Sequence, residues 1–351
     1  MEAQVMCKVH ILCELVDGPY GGSHQFLKAL RDGLRSKGVY SETVESANLI
    51  IFNSCQHIDD VLQAKKGFPE KVFMHRIDGP IQLYNMSSDL RDLIVYTVNR
   101  IIADATVFQS EWSRAENFRL GLKPTSHETL ISNAPNSDVF NSKNRIEFSQ
   151  FRKIRLIASS WSSNWKKGFE VYQWLDQHLD FARYEMTFVG NSPITFENIK
   201  MIKPLKSDEL ACELKQHDIY ITALQKEACS NSLIEALSCG LPALVLRDGG
   251  NPVIVGAGGA TFSCADEIPA LLDQIVRNYK AIQSMIRVPE ISEVVDLYYG
   301  FCKELVFAIN NEGLSPKKLS LFSFLQMHCI LKGLRLKELF NSKIERFYGH
   351  R

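Results

Sequence analysis

The feature that most constrains the fold of this chain is a repeated alternation of short apolar runs with amphipathic helical segments. A first series of apolar runs occupies 9–15, 49–53, 71–75, 106–110 and 128–132. A second series follows at 153–159, 184–190, 198–202, 218–222 and 242–246. Between the runs lie segments such as Ser23 to Ser36, in which apolar residues recur on one helical face. Strands that alternate with helices form parallel sheets covered on both faces, so each series predicts one Rossmann-like lobe of an α/β protein.

The length of the chain agrees with two lobes and a terminal segment. Its 351 residues exceed the size at which one hydrophobic core is usual. We predict an N-terminal Rossmann-like domain over 1–145 and a C-terminal one over 146–313, joined within the polar stretch from Asn136 to Arg152. The remaining segment, 314–351, is helical in pattern and rich in lysine and arginine. We predict that this basic tail packs back on the N-terminal domain; the alternative is that it docks on an anionic lipid surface.

Charge and cysteine content narrow the classes of partner and compartment. Lysine plus arginine and aspartate plus glutamate each number 40, and a net charge of zero gives no global field that would gather nucleic acid. The 9 cysteines are scattered without a C-x-x-C pair, which is typical of reduced thiols in a cytosol-like compartment. The first apolar run is interrupted by Glu14 and lacks a basic leader, and the stretch from Leu319 to Leu331 is shorter than a spanning helix. The sequence therefore predicts a cytoplasmic protein, with peripheral membrane contact as the open alternative.

The most informative stretch is KEACSNSLIEALSCGLPALVL, from Lys226 to Leu246. It predicts a loop that carries Glu227, a helix that Ser230 opens, and a buried strand at its end. A helix N-terminus presents unpaired N–H groups and a partial positive charge, which suits a diphosphate. Glu235 lies inside that helix, and a carboxylate accepts two hydrogen bonds from the vicinal diol of a ribose or a hexose. The stretch therefore predicts a site for a sugar nucleotide.

Glu227 and Glu235 are separated by seven residues, and LIEALSCGLPALV continues the pattern. These motifs resemble the E-x7-E signature of retaining glycosyltransferase family 4 and the helix and strand that follow it. The resemblance implies the GT-B fold, in which two Rossmann-like doubly wound domains face a central cleft and the second domain holds the donor. By the same resemblance, Glu235 holds the ribose hydroxyls and Glu227 faces the transferred sugar as a catalytic residue. The amides near Ser230, Asn231 and Ser232 would meet the distal phosphate or the sugar.

A second stretch, SSWSSNWKKGFEVYQWL over 159–175, follows the first strand of the second lobe. Lys167 opens a helix there and can stabilise the charge that develops on a leaving diphosphate. In family 4 an arginine usually precedes this lysine, at a position that is near Ser162 in this chain. Ser162 and Lys167 could form a variant donor site; Lys166 and Arg247 are the alternative sources of positive charge.

The loop after the first apolar run, DGPYGGSHQFL over 17–27, holds two adjacent glycines. Gly21 and Gly22 permit a tight turn in which the backbone approaches a ligand closely. The run is not G-x-G-x-x-G, so it does not indicate a dinucleotide site. It resembles the family's glycine-rich loop over the donor phosphates, and the alternative is a plain turn between a strand and a helix.

The loop after the third run, FMHRIDGP over 73–80, carries candidate side chains for the first-lobe side of the cleft. By the resemblance, His75 approaches the reacting sugar as a catalytic residue, and Asp78 lies with it at the cleft rim on the acceptor side. Arg76 could meet a phosphate or an acidic acceptor. The alternative for His75 is a structural hydrogen-bonding role.

Further motifs complete the predicted site or exclude other kinds of site. Asn133 and Phe140 lie in ISNAPNSDVF, which resembles a family motif before the linker, and are predicted to position the chain. GNSP at 190–193 and IKPL at 202–205 close strands of the second lobe, and the resemblance implies that their backbone meets the nucleobase. Backbone contacts leave the base open, so UDP- and GDP-sugars are both candidates. The sequence has no Asp-x-Asp, no zinc-type His/Cys spacing and no P-loop motif, and we predict no metal and no cofactor.

These motifs predict a metal-independent glycosyltransferase that moves a sugar from a nucleotide-sugar donor to a glycan, a lipid-linked acceptor or a small molecule. Retention of anomeric configuration is what the resemblance implies. Two alternatives stay open. One is a catalytically silent GT-B-like protein that binds a glycan or a partner, which the uncharged Ser162 favours. The other is a nucleotide-sugar epimerase on the same fold.

Overall fold

Two parallel β-sheets organise the part of the chain that this computed structural model describes, residues 7–15, 22–85, 89–311 and 313–348. The first sheet contains β1 (Val9–Ile11), β2 (Leu49–Asn53), β3 (Val72–Ile77), β4 (Ala105–Phe108) and β5 (His127–Leu130). These strands lie side by side in sequence order and pair in parallel. The helices between and after them are α1 (Gly22–Ser36), α2 (Ile58–Gly67), α3 (Ile81–Tyr84), α4 (Arg91–Ile102) and α5 (Glu111–Arg119).

The second sheet has the doubly wound topology. Its strands are β6 (Ile154–Ser160), β7 (Tyr184–Gly190), β8 (Lys200–Ile202), β9 (Ile219–Thr222), β10 (Ala243–Leu246) and β11 (Gly259–Phe262), in the parallel order β11-β10-β9-β6-β7-β8. The accompanying helices are α6 (Phe169–His178), α7 (Ser207–Lys215), α8 (Asn231–Ser238), α9 (Asn251–Val255), α10 (Ile268–Arg277) and α11 (Tyr279–Ser284). The winding direction changes between β6 and β9. In such sheets ligands bind beyond the carboxyl ends of the strands at this switch point.

The prediction of two α/β lobes with parallel sheets is confirmed. Every predicted apolar run overlaps one of the strands β1 to β10. One strand, β11, was not predicted, because its sequence Gly-Ala-Thr-Phe contains no apolar run. Strand β11 forms at the edge of the sheet because its backbone pairs with β10 from Ala243 to Leu246.

Two long helices, α12 (Ile291–Asn311) and α13 (Leu321–Tyr348), end the described chain. The sequence-based division places α12 in the C-terminal domain, but its Val295 and Tyr298 pack in the core of the first lobe with residues of β1 and α1. The chain thus crosses back to the first lobe before position 313. Helix α13 packs on another side of that lobe, where Met327 and Leu331 join a cluster with residues of β2, α2 and α4.

The carboxyl ends of both sheets face a shared cavity of about 530 Å³. None of the described helices is both long enough and apolar enough to cross a bilayer. Within the described ranges, no cluster of three or more His, Cys, Asp or Glu side chains is arranged to hold a metal ion.

Candidate active site

Segments from both lobes line the cavity. The first lobe contributes the start of α1, the loop after β3, and α3, and the second lobe contributes the loops after β6, β7 and β9. The structure brings together these predicted site residues: Gly22, Asp78, Ser162, Lys167, Glu227, Ser230, Asn231, Ser232 and Glu235. Gly21, the remaining predicted glycine, lies outside the described residues. The predicted donor residues therefore share one cavity with an acceptor-side residue from the opposite lobe.

Helix α8 begins at the cavity wall, and the backbone N–H groups of its first two residues have no acceptor among the residues that the structure describes. Ser230 is the N-cap, and its Oγ accepts a hydrogen bond from the Leu233 N–H at 3.3 Å. The first backbone bond of the helix runs from the Ile234 N–H to the Ser230 carbonyl at 3.1 Å. The N–H groups of Asn231 and Ser232 precede that bond, and the helix dipole adds partial positive charge at this end. This arrangement suits an anion such as a diphosphate.

Lys167 and Glu227 form an ion pair inside the cavity. The Lys167 Nζ lies 2.9 Å from the Glu227 Oε2, and it also lies over the ring of Tyr84, 4.9 Å from the centroid. Burial alone would lower the pKa of Lys167, but the Glu227 carboxylate raises it above its ordinary value. The lysine therefore carries its positive charge at neutral pH and is held at the cavity by both lobes.

The backbone around Glu227 is fixed by a close approach of a neighbouring loop. The Gly250 N–H donates to the Glu227 carbonyl at 2.8 Å, and Gly249 lies so close that a Cβ there would be 2.3 Å from the same oxygen. Gly249 also has φ of +64°, which a residue with a side chain rarely adopts. The pair Lys226–Asp248, at 3.1 Å, ties the two loops together. Only a glycine at position 249 lets this loop set the position of Glu227.

Glu235 lies one turn inside α8 and lines the same cavity. No hydrogen bond reaches its carboxylate from any of the residues that the structure describes. Burial therefore raises the pKa of Glu235 from 4.5 to about 8, because nothing compensates for the lost hydration of the charged form. A carboxylate that faces a cavity without a partner is a candidate for hydrogen bonds from a ligand.

Gly22 of the first lobe and Ser162 of the second lobe both line the cavity. Gly22 begins α1, and a Cβ on it would be 2.4 Å from the Asn231 Nδ2, so the starts of α1 and α8 are in direct contact. The hydroxyl of Ser162 accepts a hydrogen bond from the Asn164 N–H at 3.2 Å. Ser162 thus shapes the loop before Lys167 but brings no positive charge.

The structure corrects the predicted catalytic placement of His75. Its side chain is fully buried in β3 and is not part of the cavity wall. The Nε2 donates to the Ser54 carbonyl at 2.9 Å, the Nδ1 accepts from Asn99 at 3.2 Å, and the ring stacks on Phe52 with centroids 4.2 Å apart. Burial lowers the pKa of His75 to about 3, so the ring is neutral. His75 therefore has the alternative, structural role, because its strand is buried on both faces.

Arg76 is also corrected, since it does not reach the acceptor side of the cavity. Its guanidinium is fully buried and donates to Asp78 at 3.0 Å and to Asn133 at 2.7 Å. Asp78 does line the cavity, where its backbone N–H and one carboxylate oxygen each bond the Ser54 hydroxyl at 3.0 Å. Arg76 therefore holds the carboxylate of Asp78 by a hydrogen bond and does not itself line the cavity.

A buried polar network, which sequence reasoning missed, connects Asp78 with the start of α8. Gln109 donates to the Asp78 carboxylate and accepts from Asn133 at 3.0 Å. Asn133 in turn donates to the Asn231 Oδ1 at 3.1 Å, across the lobes. Asn133 was predicted to have a positioning role, but single amides in a sequence give no sign of their partners.

Neither Lys166 nor Arg247, the alternative sources of positive charge that the sequence suggested, lines the cavity. Arg247 is exposed and lies outside the cavity, where its Nε donates to Thr261 at 3.2 Å. Lys166 is turned to Gln225, at 3.3 Å, and does not line the cavity either. Two cations that the sequence did not single out, Arg91 and Lys226, do line it. Arg91 is held by Asp89 at 2.6 Å.

The loops predicted for the nucleobase also border the cavity. Gly190, Pro204 and Leu205 line it beyond the ends of β7 and β8, and the buried Phe140 lies beside them on the wall. This end of the cavity is less polar than the end that holds Lys167 and Glu227, which suits a flat heterocycle.

Comparison with known proteins shows which family the region around α8 resembles. Residues 195–287, which include Glu227 and Glu235, match the family model "Glycosyl transferases group 1". A curated relative, N-acetyl-alpha-D-glucosaminyl L-malate synthase of Bacillus anthracis, is 23% identical over 146 residues. That alignment covers 38% of this chain and 35% of the relative's length. The second lobe thus contains a region of the Glycosyl transferases group 1 type.

Solved structures match nearly the whole chain at low sequence identity. Sucrose-phosphate synthase of Thermosynechococcus elongatus has a TM-score of 0.59 at 13% identity, over 95% of this chain and 100% of that one. Anabaena HepE in complex with UDP and glucose has a TM-score of 0.61 at 12% identity, over 87% and 100%. The pneumococcal O-GlcNAc transferase GtfA in complex with UDP and GlcNAc has a TM-score of 0.52 at 14% identity, over 74% and 57%. These matches and the two lobes with parallel sheets show that the chain has the GT-B fold.

Proposed function

We propose that this chain is a metal-independent glycosyltransferase that takes a sugar from a UDP- or GDP-sugar and transfers it to a glycan, a lipid-linked acceptor or a small molecule. The observation that carries the proposal is the second-lobe wall of the cavity. There the N-terminus of α8 has Glu227 just before it and Glu235 one turn inside it, and Lys167 lies 2.9 Å from Glu227. The complexes of HepE and GtfA with UDP and a sugar support a nucleotide-sugar as the ligand of such a wall.

In the proposed donor complex, Lys167 and the backbone N–H groups of Asn231 and Ser232 neutralise the diphosphate. In the structure, Lys167 pairs with Glu227 and lies over the ring of Tyr84. In the donor complex, its ammonium would turn to the diphosphate and stay over Tyr84. Glu227 would then accept hydrogen bonds from the transferred sugar. Glu235, whose carboxylate has no partner among the described residues, would accept those of the ribose hydroxyls.

The acceptor hydroxyl would enter from the first lobe, on the side of Asp78. We further propose retention of configuration by a front-face route. The bond from the sugar C1 to the diphosphate oxygen breaks as the bond to the acceptor oxygen forms, and the leaving phosphate oxygen takes the acceptor's proton. Lys167 and the dipole of α8 stabilise the negative charge that develops on the leaving group. His75 has no part in this scheme because it is buried away from the cavity.

Nucleotide binding by a matched pair of variants tests the proposal. A thermal-shift panel of UDP, GDP and ADP with their sugars identifies the nucleotide, and calorimetry then gives its affinity. We expect Glu235→Ala to weaken binding by about 1–3 kcal/mol at about pH 9, where the Glu235 carboxyl is ionised, because this is the scale of hydrogen bonds to a charged group. Glu304→Ala, which removes an exposed glutamate on α12, is the control and should bind as the parent does. Equal affinities in parent and Glu235→Ala would remove the donor assignment.

One observation favours a second function, a GT-B-like protein that binds a ligand without catalysis. The position of the expected arginine is occupied by Ser162, which brings no charge to the cavity. Incubation of the nucleotide-sugar alone separates the two functions, because a competent transferase slowly hydrolyses its donor. The same incubation would reveal an epimerase by a changed sugar without any acceptor.

A further inference from the structure

The outward face of α13 carries a row of exposed apolar side chains. Leu321, Phe322, Leu325 and Leu336 are 71%, 77%, 54% and 67% exposed, and we call them the α13 stripe. At the helical period they fall within an arc of about 100°, and Lys332 lies in the same arc. Among the described residues they form the largest set of highly exposed leucine and phenylalanine side chains on one helix.

The opposite face of α13 fixes the orientation of the stripe. Met327 is fully buried and Leu331 nearly so, in the cluster that also holds residues of β2, α2 and α4. The entry to the helix is tied down as well, because the Lys317 N–H donates to the Asp104 carboxylate at 2.6 Å. The helix therefore cannot turn its stripe inward without leaving the core. The stripe is a preformed outward surface.

The segment that contains the stripe is basic, and the two acids of α13, Glu338 and Glu345, come after it. The sequence from 313 to 337 contains no aspartate or glutamate, and its basic residues are Lys317, Lys318, Lys332, Arg335 and Lys337. Lys318 and Lys332 are exposed. Lys66 of α2 is exposed beside the helix, with its Nζ 5.1 Å from the ring centroid of Phe324. This excess is local, because the whole chain has a net charge of zero.

We propose that the outward face of α13 docks on an anionic lipid bilayer, with the helix parallel to the membrane surface. A lipid interface accepts apolar side chains that project singly, together with lysines that reach phosphate groups. A protein interface of this size would instead favour a lysine-poor centre with packed aromatics. The combination of Phe322 and leucines with exposed lysines thus fits anionic lipid better than a second copy or another protein. The inference does not depend on the proposed transferase activity.

Vesicle sedimentation of the whole chain tests this docking directly. The probes are vesicles of pure phosphatidylcholine and vesicles in which about a third of the lipid is phosphatidylglycerol. We expect the chain to sediment with the anionic vesicles at about 0.1 M salt, much less at about 0.5 M salt, and not with pure phosphatidylcholine. The readout needs no nucleotide or sugar, so it stands or falls separately from the proposed function.

Paired variants assign the binding to the α13 stripe. Phe322→Ser with Leu325→Ser should weaken vesicle partitioning by at least about tenfold, since both side chains would leave the lipid interface. Lys318→Ala with Lys332→Ala should weaken it by about 25-fold, at about fivefold for each lysine near an anionic surface. The matched controls are Leu297→Ser with Phe307→Ser on α12, both more than half exposed, and Lys143→Ala with Lys280→Ala. The controls should bind as the parent does.

Each other result overturns the proposal. Absence of the parent chain from the anionic pellet, or equal sedimentation with both lipids, would show that no anionic surface is recognised. An equal loss in the α12 control would show that the α13 stripe has no special role. A concentration-dependent dimer that Phe322→Ser with Leu325→Ser dissolves, without vesicle binding by the parent, would assign the stripe to self-association.

Discussion

The affinity of the cavity for a nucleotide-sugar should depend on pH through one carboxyl group. The pKa of Glu235 is raised to about 8 because burial removes the hydration of its carboxylate. Hydrogen bonds from ribose hydroxyls favour the charged carboxylate, so the ligand binds the ionised form. The apparent dissociation constant is then the intrinsic one divided by the ionised fraction. Affinity should rise with pH up to about 8 and level off above it.

The size of the effect follows from that ionised fraction. With a pKa of about 8, about nine-tenths of Glu235 is ionised at pH 9, about one-tenth at pH 7 and about one-hundredth at pH 6. The dissociation constant should therefore rise about tenfold from pH 9 to pH 7 and about 100-fold to pH 6. The assay is calorimetry with the nucleotide-sugar, whose diphosphate keeps its charge over this range. Measurements in buffers of different ionisation enthalpy should also show release of a proton on binding near pH 7.

Glu235→Gln separates this effect from other titrations in the cavity. The variant has no proton to lose, so its affinity should be flat from pH 6 to pH 9. The folded pKa of Glu235 is raised above the ordinary 4.5, so the stabilising contribution is present below about 4.5 and is lost as pH rises through about 8. The parent should accordingly lose thermal stability over that window relative to Glu235→Gln. A flat profile in the parent, or the same slope in both proteins, would refute the reasoning.

Two further variants test the roles of Lys167 and His75. Lys167→Ala should lower kcat by about 10²–10³ by removing a charge that stabilises the leaving diphosphate, with Lys280→Ala as the control in steady-state assays; an unchanged kcat would exclude that role. His75→Gln should lower the free energy of unfolding by about 1–3 kcal/mol in urea titrations, because a buried hydrogen-bond pair is disturbed, while kcat of the folded enzyme stays near the parent value. A large loss of kcat at parental stability would instead return His75 to the chemistry.

Sequence alone could identify the two lobes and predict the helix α8 with its acids, because these signals are local. Apolar runs, the cap at Ser230 and the acids Glu227 and Glu235 are all read within a short stretch of chain. The winding order of the second sheet then brings these residues to the switch point beside β6 and β9. Elements that depend on contacts between residues far apart in the chain leave a weaker signal in the sequence. Strand β11 has no apolar run and depends on its pairing with β10, and α12 returns to the first lobe through packing that no local pattern shows.

The misplacement of His75 and Arg76 has a specific physical cause. Both lie within β3, which is central in the first sheet and buried on both faces, so neither residue can point to solvent. Only Asp78, after the strand has ended, reaches the cavity. The polar residues His75 and Arg76 therefore belong to a buried strand, and the part of this segment that lines the cavity begins after the strand. Their partners Ser54, Asn99 and Asn133 are distant in the chain, and no spacing reveals such pairs.

The uncharged Ser162 does not leave the proposed diphosphate site without support, because part of that support comes from the first lobe. Helix α3 places Tyr84 over Lys167, and the next residue, Asn85, accepts a hydrogen bond from Asn164 at 3.2 Å across the cavity. Two contacts thus connect α3 to the loop that carries Lys167. If the lobes separate, Lys167 loses its aromatic neighbour and keeps only Glu227. The charge that would meet a diphosphate is therefore positioned by closure of the two lobes, and donor binding should favour the closed arrangement because only there is Lys167 fully held.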